Sequence, residues 1–404
     1  MPAFLTHWRI LIETARQSQD AGSDLGSLII DAAALRRRAH GWSTPPQTTA
    51  AGAVWDTGPL PEIDFPFPGS DISAMAFLGA LAPDIMYYSR LFFRDKLSDR
   101  HLAQATLSPT TTGQKPQWSE LFHCFHSGEI LIAFLEQIAL VPSPALRSQA
   151  LAFALGYISH IATDIALNPW INALASQLPK RRSPGRHYFV ELRLDEYLAQ
   201  TYFDHPRYHL LHQPWGAYIE PVASELIQPD ALVAQLLTLL AVAAEVYQLE
   251  DEQTEKLPEH FRRGLQGLRH FLAGRGRARW LTLRESRRKD TLDIVSQALA
   301  NPQSDEPILA LTKVLGYAEH LSTHLCRRAL SYYTALRNPN AEASERSSQR
   351  IALVKDLRNW NLNTGYDTDT SEEHPLHNWA HFSKLWEQSE EEQNLRSQHI
   401  LPAS

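Results

Sequence analysis

Along most of this chain apolar residues return every three or four positions and almost nowhere every two. That spacing places them on one face of a helix and not on one face of a sheet. It runs through about 5–18, 25–37, 72–88, 119–140, 145–167, 187–203, 229–248, 258–272, 306–336 and 346–358. No alternating runs bounded by hairpin turns compete with it, so the expected fold class is all-α, a multi-helix bundle. Pro- and Gly-rich stretches separate the helices: GWSTPPQTTAAGAVWDTGPLPEIDFPFPG (41–69), LSPTTTGQKPQ (107–117) and LPKRRSPGR (178–186). Long loops of this kind often rim a site held by rigid helices.

A chain of 404 residues can bury a full core. The charged stretch QLEDEQTEKLPE (248–259) is the natural place to divide it, giving one domain over 1–250 and a helical C-terminal extension over 251–404 with a polar tail. The net charge of −7 argues against a general nucleic-acid binder. Cys124 and Cys326 are too few for a disulfide framework and suit a reducing compartment. The first twenty residues lack the charged and apolar regions of a signal peptide, and no apolar run reaches the length of a membrane span. The expected setting is the cytoplasm.

Against this ordinary background stand polar residues on apolar helices. Positions four apart on a helix share a stripe. GYISHIATDIALNPWIN (156–172) therefore aligns His160, Asp164 and Asn168, and Pro169 reads as the end of that helix. GRHYFVELRLDEYL (185–198) aligns His187, Glu191 and Asp195. WSELFHCFHSGEILIAFLEQ (118–137) puts His123 and His126 on one face, GALAPDI (79–85) carries Asp84, and LTHW (5–8) carries His7. Imidazole and carboxylate are the ligands zinc prefers. Each pair taken alone also fits a buried hydrogen-bonded pair or an exposed i,i+4 pair. Several such groups buried together are easier to explain with a metal than without, because each needs a partner.

Taken in order, MPAFLTHW, GALAPDI, LFHCFHSGE, GYISHIATDIALNPWIN and RHYFVELRLDEYL resemble the zinc-dependent phospholipase C family, a relative of the S1/P1 nucleases. The resemblance runs from His7 to about Asp195 and implies an all-helical fold with a zinc cluster that hydrolyses phosphodiesters. It implies Asp84, His123, His160 and Asp164 as ligands of one metal, with Asp164 bridging to a second that His7 and the N-terminal amine complete. His187 and Glu191 would hold a third metal, for which the family supplies a histidine where this chain has Asn168. Asn168 is thus a candidate weak ligand, and the expectation is two zinc ions held firmly and a third weakly. His126 and Asp195 are candidates to orient the ligands. Asp84 is in addition the candidate catalytic residue, orienting or deprotonating the attacking water.

The activity implied is hydrolysis of a phospholipid such as phosphatidylcholine to diacylglycerol and a phosphorylated head group, with peripheral membrane contact and no specific nucleic acid. A nuclease or phosphomonoesterase with the same cluster is the alternative, as is a helical scaffold with a degraded metal site. The aromatic stretches in 55–69 and 86–93 offer an apolar rim for acyl chains. The basic stretch 261–290 reads as a solvated helix face in preference to a lipid or nucleic-acid surface, and His320, His324 and Cys326 as core or surface residues. The acidic YDTDTSEEH (366–374) lacks the glycine and the terminal glutamate spacing of a calcium loop.

Overall fold

A computed structural model of the chain describes residues 4–20, 71–87, 122–123, 126–177, 186–202, 239–249, 251–272, 311–360 and 362. Among them the chain is all-α, as its periodicity requires. The helices are α1 (Phe4–Asp20), α2 (Asp71–Gly79), α3 (Ser127–Leu140), α4 (Pro144–Gln177), α5 (Arg186–Thr201), α6 (Asp251–Leu272), α7 (Leu311–Arg337) and α8 (Ala343–Leu357). A single 3₁₀ turn, Ala82–Asp84, follows α2. The loops 41–69, 107–117 and 178–185, Cys124, residues 88–93, 273–290 and 366–374, and the chain's first three residues lie outside the described set.

Helix α4 is the axis of the bundle. It has 34 residues, about 50 Å at the usual helical rise. From Ala150 to Ile171 every side chain is buried, and α1, α2, α3, α5 and α7 pack around it. A helix apolar on all sides has to be enclosed in this way. By length and composition Pro144–Asn172 could cross a membrane, contrary to the expectation that no run here is long enough. Its most apolar stretch is wholly buried within the protein, which makes it a core helix.

A second correction concerns its end. Asn168 and Pro169 do not terminate α4, which continues to Gln177. The proline removes a helical donor and crowds the preceding turn, at a cost of roughly 3 kcal/mol. Burial of Trp170, Ile171 and Leu174 just beyond it outweighs that penalty, at roughly 1.5–3 kcal/mol for each large apolar side chain.

Close backbone approach sets the position of α2. A Cβ on Gly156 of α4 would sit 2.0 Å from the carbonyl oxygen of Ala76, so only glycine admits α2 at this distance. The Trp8 indole donates to the Phe77 carbonyl (3.2 Å) and ties α1 to α2. Thr14 donates to Ser322 (2.7 Å), Arg9 pairs with Glu319 (2.7 Å), and the Cys326 thiol contacts the Leu155 carbonyl, which together fix α7 against α1 and α4. Cys326 is a core residue whose thiol burial pushes up to about 12. One hydrophobic cluster runs through α1 to α8, and it takes in Leu257, Phe261, Leu311, Leu315, Leu353 and Leu362 from beyond residue 250.

Gly156→Ala should lower the free energy of unfolding by about 3 kcal/mol, the upper end of the overpacking range, because the obstacle is backbone. Urea denaturation measures it. A midpoint equal to that of the parent chain would mean that α2 does not approach α4 this closely.

Candidate metal centre

Three separate parts of the chain converge on the middle of α4. That helix presents His160 and Asp164, one turn apart and buried. The 3₁₀ turn after α2 brings in Asp84, α1 brings in His7, and the short helical stretch at 122–123 brings in His123; all three are buried. His123 Nε2 lies 2.9 Å from Asp84 Oδ1 and 3.7 Å from Asp164 Oδ2. His160 Nε2 lies 3.2 Å from Asp164 Oδ2 and 3.7 Å from Asp84 Oδ2. His7 Nε2 lies 3.5 Å from Asp164 Oδ1 and 3.8 Å from Asp84 Oδ2, and its ring stacks on that of His160 at 4.0 Å. Two triads thereby form, His7–His160–Asp164 and Asp84–His123–His160, each with its ligand atoms within 4.8 Å of one another.

The supports of these residues are backbone groups as often as side chains. The His160 ring bonds to the Ala80 carbonyl through Nδ1 (2.8 Å), which turns Nε2 towards the cluster. This is how proteins usually orient a metal-ligating imidazole. Asp195 of α5 accepts from the backbone N–H groups of Leu5 (3.3 Å) and Thr6 (3.1 Å) and from the Thr6 hydroxyl (3.0 Å). It thus satisfies the otherwise unpaired donors in the first turn of α1 and fixes the helix that carries His7.

The other candidates lie differently. His126 caps α3 in a left-handed conformation (φ 51°) and pairs with Glu129 (2.8 Å) on the exposed side, whereas His123 faces the cluster. His187 and Glu191 pair with each other on α5 (3.0 Å), and His187 Nδ1 reaches Asn172 Oδ1 of α4 (2.7 Å). Asn168 is buried, and its amide nitrogen donates to the carbonyl of Leu362 (2.7 Å). The N-terminal amine lies outside the described residues. Asn172 is not among the residues singled out from sequence, although it continues the stripe of Asp164 and Asn168. The Ala80 and Leu362 backbone groups carry no sequence signal at all.

Electrostatics in this apolar setting are one-sided. Burial pushes the His7 imidazole down to about 3, helped by the neighbouring His160. Burial also opposes charge on His160, but Asp164 and Asp84 outweigh it and raise that imidazole to about 9. Burial likewise opposes ionisation of the two aspartates. His160, with His123 at Asp84 and His7 at Asp164, reverses this and holds both carboxyls below their usual range. A proton on His160 thus supplies the positive charge that two buried carboxylates require. The site would take a divalent cation in its place. Three buried atoms with no hydrogen-bond partner, His7 Nδ1, Asp84 Oδ2 and His160 Nε2, belong to this same group. Two carboxylates and three imidazoles form the donor set that zinc accepts.

The metal-free chain should therefore lose stability in two directions. His7 titrates near 6.5 when unfolded and about 3 when folded, so its contribution is complete above about 6.5 and is lost as pH falls towards 3. His160 has a raised value, so its contribution is complete below about 6.5 and is lost as pH rises through about 9. Melting temperatures of the chelator-treated protein across this range measure both limbs, and His160→Asn should remove the alkaline one. A flat alkaline limb in the parent chain would contradict the charge balance described above. Asp195→Ala should cost about 1–2 kcal/mol in the same measurements, the worth of a helix cap.

The model of the family described as zinc-dependent phospholipase C matches residues 53–230. No curated protein and no solved structure matches the chain. His7 lies 46 residues upstream of the matched stretch (53 − 7), although α1 delivers it to the same cluster. The matched stretch contains Asp84, His123, His160 and Asp164, the buried acids and imidazoles from which the two triads are largely built. Over residues 53–230, then, the chain is similar to the zinc-dependent phospholipase C family, a family of hydrolytic enzymes.

Proposed function

We propose that the chain hydrolyses phospholipids of the phosphatidylcholine type to diacylglycerol and a phosphorylated head group at the cluster formed by His7, Asp84, His123, His160 and Asp164. The observation that carries this reading is the convergence of five ionisable side chains in one buried cluster where His160 Nε2 and Asp84 Oδ2 have no hydrogen-bond partner. Asp84, His123 and His160 would hold one zinc ion, and His7 with Asp164 a second. His187 and Glu191, paired beside Asn172, would offer a weaker third position.

Zinc bound there supplies Lewis-acid polarisation of a phosphoryl oxygen and acidification of water. The protein's part is placement. Asp84 is held below the usual carboxylate range, which makes it a poor proton acceptor and a good anionic anchor. Its role is to orient the attacking water more than to deprotonate it. His160 is fixed by the Ala80 carbonyl and keeps Nε2 directed inwards throughout the reaction. His7 and His160 stack nearly parallel, at 8°, so neither ring can turn without displacing the other. The apolar helices around the cluster exclude bulk water and strengthen every charge interaction within it.

His160→Ala should reduce zinc content by at least one ion per chain and lower turnover of phosphatidylcholine in mixed micelles by about 10³-fold or more, on the scale of losing a principal catalytic group. Single-stranded DNA assayed alongside separates a phospholipase from a nuclease. Unchanged turnover in His160→Ala would remove the cluster from catalysis. A parent chain that retains no zinc after purification would favour the scaffold reading.

A further inference from the structure

After α8 the chain reverses at Arg358, a non-glycine residue at φ 46°, and runs back across the start of α3. Arg358, Asn359, Trp360 and Leu362 form a strap there, and most of its contacts go to residues next to the metal centre. The Leu362 N–H donates to the carbonyl of His123 (2.6 Å). The Leu362 carbonyl accepts from the Asn168 amide (2.7 Å). Ser127 donates to the Trp360 carbonyl (2.8 Å), and Asn359 accepts from the Glu129 N–H (3.0 Å), one of the open donors in the first turn of α3. The strap lies so close that a Cβ on Gly128 would fall 2.0 Å from the Arg358 carbonyl oxygen. Leu362 is fully buried and Trp360 nearly so, while the Arg358 guanidinium covers the Trp360 ring at 5.4 Å. A backbone held in this uncommon conformation indicates that the surroundings demand it.

These contacts close a chain of two hydrogen bonds, from Asn168 on α4 through Leu362 to the backbone of His123. His160 and Asp164 sit two turns and one turn before Asn168 on the same stripe, so the chain links the ligands of α4 to the ligand from the 122–123 stretch. The Asn168 amide nitrogen is committed to the Leu362 carbonyl, so this side chain joins the strap to α4. We propose that Asn168 is a positioning residue. It clamps the C-terminal strap against His123 and so sets that imidazole relative to His160 and Asp164. The part of the chain beyond residue 250 is on this account a component of the metal centre. Helix α6 adds a second support, since a Cβ on Gly264 would stand 2.4 Å from the carbonyl oxygen of Ile85, the residue after Asp84. The inference rests on the proposed zinc centre for its functional consequence, and on the strap geometry alone for the clamp.

Asn168→Asp separates the two roles in the full-length protein. An aspartate is a stronger zinc ligand than an asparagine, but its carboxylate has no hydrogen to give and would face the Leu362 carbonyl with like charge. If Asn168 is a clamp, zinc titration of the metal-stripped variant should show affinity weaker by about tenfold, the loss of one buried hydrogen bond. The Leu362 amide should exchange with solvent markedly faster with or without zinc. Asn168→Ala should behave similarly, and Leu362→Pro, which deletes the N–H that reaches His123, should weaken zinc binding while leaving Asn168 in place. Asn168→Gln should recover part of the loss. Tighter zinc binding by Asn168→Asp, or a Leu362 amide as protected as in the parent, would overturn the clamp. Absence of zinc binding in the parent chain would defeat the proposed function, and amide exchange would still decide the clamp. Should Asn168→Asp not fold, Leu362→Pro and Asn168→Ala carry the same two readings.

Discussion

Everything in this molecule is arranged around the problem of keeping two carboxylates, Asp84 and Asp164, ionised inside a bundle of apolar helices. Burying a charge is costly unless it is paired and hydrogen-bonded. The protein meets that cost with three imidazoles, of which one, His160, carries a proton at neutral pH while its stacked neighbour His7 does not. That division of labour holds the protein in the absence of metal. The same lone pairs and negative charge make up a donor set that suits a divalent cation.

The helices follow from that requirement as much as the requirement follows from them. The candidate ligands come from four elements, α4 supplying both His160 and Asp164, and each element is tied down close to the residue it carries. Asp195 anchors the first turn of α1 before His7, the tight approach of α2 to Gly156 precedes Asp84, the Ala80 carbonyl sets the ring of His160, and Leu362 grips the backbone of His123. Sites that must hold atoms to within about half an ångström depend on such supports.

Much of this could be read in the sequence. The three- and four-residue apolar spacing gives the all-helical class, and the i,i+4 stripes mark His160 with Asp164 and His187 with Glu191, because side-chain direction on a helix is fixed by arithmetic. The order of motifs leads to the family. The supports escape notice because they are backbone carbonyls or lie nearly two hundred residues away. Nothing in the neighbourhood of Asn168 announces Leu362, and Asp195 reads as the third member of a stripe when its partners are N–H groups of α1. Local rules also fail where packing overrides them. Pro169 looks like a stop signal, yet the apolar residues beyond it gain more from burial than the proline takes away. Helix α6 begins within the charged stretch 248–259 and sends Leu257 and Phe261 into the common core.

The enclosure of α4 from Ala150 to Ile171 has one more implication. A helix with neighbours on every side has no cheap direction in which to slide or roll, so the spacing between His160 and Asp164 is as fixed as anything in the molecule. Variation in the reach or tightness of this pocket must then originate in the pieces that approach the axis from outside. An engineer seeking a different specificity would find the central rod unyielding and the turns that touch it open to change.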